Sequence, residues 1–158
     1  MTVRGPLGGT TVVLVRRSLV GITVVTMLST VFELATERHW HGLEQLVPWL
    51  ALVVLAVATA LLLLPGRRAC TAARVLALVV LGASIYGVID HIAVNYNSGA
   101  LDQRFADTWE GTPWLEKWWY AITKTVGPSP ILAPGVLGLA ALLLLLASLI
   151  DPWTRERS

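Results

Sequence analysis

From Gln45 to Gly66 the chain carries no charged residue, and from Thr125 to Ile150 it again carries none. Uncharged apolar runs of this length are the strongest constraint on the fold. About 20 such residues cross the hydrocarbon of a bilayer as one helix, whereas an apolar core helix of a soluble domain is more often about 10–14 long. Two further runs qualify. One follows Arg17 and extends from Ser18 to Ala35; the other follows Arg74 and reaches Asn95. The runs are apolar on all sides, so length decides the assignment rather than periodicity. Nor do they alternate as barrel strands do, and in lipid only helices or closed barrels satisfy the backbone. The sequence therefore predicts an all-α, four-transmembrane-helix bundle, a single integral membrane domain over 1–158 with spans at 18–36, 46–64, 75–95 and 131–150. Composition agrees: 55% of residues are hydrophobic and 14% charged, against about 25% charged in soluble domains.

Arg16-Arg17 before an apolar stretch has the outline of a secretory signal. Phe32-Glu33-Leu34 stands where small cleavage-site residues belong, so the segment is read as a retained first helix. Orientation follows from the basic residues. One side holds Arg4, Arg16, Arg17, Arg67, Arg68, Arg74, Arg155 and Arg157; the other holds Arg38, Arg104, Lys117 and Lys124. This bias places both termini in the cytoplasm of a plasma (inner) membrane. The basic residues form no run and no stripe with aromatics, which argues against nucleic acid. The expected partners are the lipid bilayer and another membrane protein or a second copy. Cys70 is the single cysteine and is read as an idle thiol.

The loop from Asn97 to Gly127 is the one long water-facing segment. Its second half, 113–126, reads as an amphipathic interfacial helix in the last outer loop, capped by Thr112 with Pro113 at its first position. Glu116, Lys117, Tyr120, Thr123 and Lys124 share one face; Trp114, Leu115, Trp118, Trp119 and Ile122 share the other. Trp114, Trp118, Trp119 and Tyr120 are the expected interfacial anchors. Gly127-Pro128 is the expected stop.

Ionisable groups inside a span mark sites that must be compensated. Glu33 lies 16 residues beyond Arg17, and Asp90 lies 16 beyond Arg74. Both fall about 24 Å along their helices. Thr23, Thr26, Thr30, Glu33 and Glu37 recur at helical spacing, as do Ser84, Gly87, His91 and Asn95. Both carboxylates are expected to face the interior. With His39 and His41 just beyond the first span, Glu33, Glu37, His39, His41, Asp90 and His91 make a candidate nitrogen–oxygen set for a divalent metal or haem, or a path for protons or a small solute. The alternative is an interior network of hydrogen bonds and ion pairs with Arg38 or Arg104. The sequence contains no HExxH, P-loop or nucleophile elbow. Ser84, Asp90 and His91 lie too close along one helix to converge as a triad. The primary reading is thus a non-catalytic accessory, structural or regulatory component of a membrane assembly.

Gly87-Val88-Ile89-Asp90-His91, Asn95, the acidic tryptophan-containing loop and Pro130-Ile131-Leu132-Ala133-Pro134-Gly135 together resemble an uncharacterised group of small multi-pass (four-span) bacterial membrane proteins. The resemblance covers the C-terminal half. It implies the four-span plan and no activity.

Overall fold

The computed structural model describes residues 7–150. Five helices follow one another: α1 (Leu7–Thr36), α2 (Leu43–Leu63), α3 (Arg67–Ser98), α4 (Trp114–Ile122) and α5 (Leu132–Leu149), with a 3-10 turn at Gly99–Leu101. Among the described residues there is no strand. α1, α2, α3 and α5 are long and apolar enough to cross a membrane.

Two helices start well before their predicted spans. α1 includes Arg16 and Arg17, and α3 includes Arg67, Arg68 and Arg74. Arginine has good helix propensity, so a helix continues through it into the polar layer; the edge of the lipid is not the end of the helix. α5 begins at Leu132, and Pro134 occupies its first turn. There the missing N–H is one that the helix would leave unpaired anyway, so α5 runs through Pro134-Gly135 without a break.

The chain divides into two compact units, Met1–Ala83 with Val136–Ser158, and Ser84–Gly135. The first unit holds the main apolar core: Leu34, Ala51, Leu52, Leu55, Ala58 and Leu62 of α1 and α2, with Ala73, Ala77, Val80, Leu137, Ala140, Ala141, Leu144 and Ala147 of α3 and α5. Alanine at so many of these positions lets backbones approach closely, the usual basis of helix packing in lipid. Two arginines secure helix ends in this unit. Arg16 donates from Nη2 to the Leu62 carbonyl at 2.7 Å. Arg74 donates to the Ser148 carbonyl at 2.6 Å and to Ser148 Oγ at 3.0 Å. Both carbonyls lie in a last turn, where acceptors lack intrahelical partners and positive charge is favoured. The Cys70 thiol points at the same Ser148 carbonyl, 3.6 Å away.

The inward stripe of α1 is Arg16, Val20, Thr23, Met27, Thr30 and Leu34, at spacings of 4, 3, 4, 3 and 4. Thr23, Thr26 and Thr30 donate to the carbonyls of Leu19, Ile22 and Thr26 of their own helix. Their hydroxyls are therefore satisfied locally and are not aimed at a site.

Candidate functional site

The second unit is built around the face of α3 that carries Ser84, Gly87, His91 and Asn95. Asn95 is fully buried. Its Oδ1 accepts from the Ser129 backbone N–H at 2.8 Å, and its Nδ2 donates to the Ser129 carbonyl at 3.0 Å. Nδ2 also approaches the Ala121 carbonyl, at 3.4 Å. Ser129 stands between Pro128 and Pro130, which have no N–H, so it offers the one backbone donor of that tripeptide. The asparagine amide pairs with it as a neighbouring strand would.

Two more contacts complete this clasp. His91 Nδ1 meets the Pro130 carbonyl at 2.9 Å; a carbonyl only accepts, so Nδ1 carries the proton and Nε2 is left open. A Cβ on Gly87 would stand 2.9 Å from Pro134 Cβ, so glycine admits the proline. The Ser84 hydroxyl is buried without a partner among the described residues.

Trp109 is the other centre of the unit, 5% exposed. Its ring occupies the space that a Cβ on Gly99 would need. Tyr96 meets it edge-on at 5.9 Å, and the Lys117 ammonium lies 5.5 Å from the ring centroid. Composition shows Trp109 only as one tryptophan of an acidic loop. Its burial depends on Gly99, ten residues earlier, and glycine is the only local hint.

α4 spans Trp114–Ile122, shorter than the predicted 113–126. Pro113 is its N-cap, with no side-chain cap bond; the Thr112 hydroxyl donates instead to the Thr108 carbonyl at 2.9 Å. The helix ends on Lys124 at φ 54, where Thr125 N–H returns to Tyr120 O and Lys124 N–H to Ala121 O. This is a Schellman ending with lysine where glycine is usual. Gly127 is not the stop. Its φ of +83 and its close approach to Asn95 explain the glycine. α1 ends the same way on Arg38, at φ 52, with His39 N–H on Leu34 O and Arg38 N–H on Ala35 O.

The four expected anchors divide. Trp114 and Trp119 are open, at 65% and 64% exposure. Trp118 packs on Tyr96 with ring centroids 4.6 Å apart. Tyr120 is half-buried, 5.1 Å from the Phe105 ring, and donates to Glu116. That hydrogen bond raises the phenol's pKa above its ordinary 10.0. Arg104 pairs with Asp102 at 2.7 Å and donates to the Thr125 carbonyl at 2.6 Å. The guanidinium's hydrogen bonds hold the Asp102 carboxyl below its ordinary 3.8 and raise Arg104 in turn.

The candidate metal ligands are placed as follows. Glu33, Glu37, His39 and His41 belong to the first unit, Asp90 and His91 to the second. Glu33, Glu37 and Asp90 are exposed, counter to the expectation that Glu33 and Asp90 face inward. The true inward stripe of α1 passes through Leu34, one residue and about 100° round from Glu33. His41 Nδ1 lies 2.9 Å from the Arg38 carbonyl, and the His39 carbonyl accepts from Trp49 Nε1 at 2.7 Å. Among the described residues no three His, Cys, Asp or Glu side chains are grouped to hold a metal ion. Among the described residues the one ion pair is Arg104 with Asp102; Arg38 pairs with neither carboxylate. No family model, no curated protein and no solved structure matches the chain.

Proposed function

We propose that this chain is a multi-pass plasma-membrane protein with cytoplasmic termini, acting as a non-catalytic accessory component of a membrane assembly. Glu33 carries the reading. It is exposed on α1, the least buried of the four spans, with 17% of its most apolar stretch buried against 39% in α5. About 24 Å along the helix from Arg17, it falls within a hydrocarbon layer about 30 Å thick. A carboxylate facing lipid at that depth is costly. A partner helix that offers a cation or a hydrogen-bond donor removes the cost. The arginine bias supports the orientation, and the absence of a nucleophile motif supports a role without catalysis.

Gentle extraction from the native membrane tests this. The expected particle has a fixed composition and exceeds the 17.1 kDa chain. Glu33→Gln should weaken its association at least about tenfold, equivalent to ~1.4 kcal/mol. A wild-type particle holding one copy of the chain alone would refute the reading. Reporter fusions at Ser158 and within 97–127 should report opposite sides of the membrane; a shared side would refute the orientation.

A further inference from the structure

We propose that the exposed apolar face of α4 is a lipid-binding surface, inserted at the boundary between headgroups and acyl chains, and that it does not select for anionic lipid. Three observations support this independently of the partner proposed for α1.

The first is the division of the helix. Ala121 is fully buried, and Lys117 and Tyr120 are half-buried within their own unit, whereas Trp114, Leu115, Trp119 and Ile122 are all at least 50% exposed. So large an open aromatic surface on a nine-residue helix needs a cover.

The second is height. α3 is continuous from Arg67 to Ser98, and Tyr96 lies 22 residues beyond Arg74. That is about 33 Å along the helix, just past a hydrocarbon layer about 30 Å thick. Tyr96 thus reaches the headgroup layer, and its contact with Trp118 holds α4 at the same height. Tryptophan and tyrosine favour that layer because it accommodates both an apolar ring and a polar edge.

The third is charge. Residues 84–135 contain Arg104, Lys117 and Lys124 against Asp90, Asp102, Asp107, Glu110 and Glu116. Arg104 is bound to Asp102, and the Lys117 ammonium rests on Trp109 and the Glu110 carbonyl. No basic patch is left to attract anionic headgroups, so the attraction is apolar burial.

The test uses the full chain in phosphatidylcholine vesicles. In a Cys70→Ser background, spin labels are attached through Leu115→Cys, Trp119→Cys and, as a water-facing control, Asp107→Cys. Collisions with oxygen, which enters lipid, are compared with those of a polar nickel complex, which does not. The oxygen-to-nickel ratio should be several-fold higher at 115 and 119 than at 107, and adding phosphatidylglycerol should leave it unchanged. Equal ratios would overturn the proposal, as would low rates for both probes at 115 and 119, which mean a protein cover. A contrast that appears only with phosphatidylglycerol would overturn the apolar basis. Should a labelled variant fail to fold, quenching by bromine-labelled lipid decides. Trp114→Phe with Trp119→Phe must then lower the quenched fraction, and an unchanged fraction counts against the idea.

Discussion

Residues 7–83 with 136–150 are held together by alanine and leucine, whereas residues 84–135 close around an asparagine, a tryptophan and three glycines. The difference follows from the solvent of each. Between helices in lipid there is no hydrophobic gain, because the lipid is as apolar as leucine; packing and a few hydrogen bonds must suffice. Small residues and the arginine bonds at helix ends meet that need. Where water is near, burying one large ring is itself favourable, and Trp109 can organise a short unit. The buried amide of Asn95 then needs partners of its own, which the Ser129 backbone supplies.

The sharpest way to break this contrast is at the glycines. Gly127→Ala must hold a left-handed φ, at about 1–2 kcal/mol, and press on Asn95, at about 1–3 kcal/mol more. Hydrogen exchange should show residues 95–130 losing protection while 137–149 keep theirs. Equal loss in both regions would mean that the two units are one. Asn95→Ala comes next. It leaves the part-buried N–H and carbonyl of Ser129 without their partner, at about 1 kcal/mol, and the Pro128–Pro130 segment should become open to proteolysis.

Arg74→Gln probes the other region. Its bonds to Ser148 are charge-assisted, worth about 1.5–3 kcal/mol, partly offset where glutamine retains one. Thermal unfolding in detergent should occur at lower temperature, with Trp109 protection unaltered. A stabilising pair sits one in each region. Arg38→Gly and Lys124→Gly both relieve a left-handed residue at a Schellman ending, and each should gain up to ~1 kcal/mol, read as a higher denaturant midpoint. A loss at either position would show that its side chain makes a contact that matters more than the backbone conformation.

The smallest effect is set by pH. Asp102 is depressed, so its contribution is present above the unfolded carboxyl value of 3.8 and is lost as pH falls through its lower folded value. Tyr120 is raised, so its contribution is present below 10.0 and is lost as pH rises through the higher folded value. Tryptophan emission from the loop should therefore stay constant between those limits and change first at the acid end, where Arg104 loses Asp102. Asp102→Asn should abolish the acid-side change and leave the alkaline one.

The spans were legible because a run without charge needs no partner to be recognised: bilayer thickness sets its length, and backbone satisfaction makes it helical. The face of α3 was legible too, since Ser84, Gly87, His91 and Asn95 repeat at helical spacing. What that face touches was not. That Asn95 pairs with Ser129, that Gly87 admits Pro134 and that Gly99 admits Trp109 are meetings between segments, and spacing along one helix carries no information about the other. The same limit misplaced Glu33. The polar series Thr23, Thr26, Thr30, Glu33, Glu37 and the inward series Thr23, Thr30, Leu34 share two threonines and diverge by one residue. At about 100° per residue, only packing against α2 and its neighbours decides which series turns inward. Arg16 and Arg74 show the remaining gap. Their charge reads as orientation from the sequence, but their hydrogen bonds to Leu62 and Ser148 exist only because the fold brings the third turn of one helix beside the last turn of another.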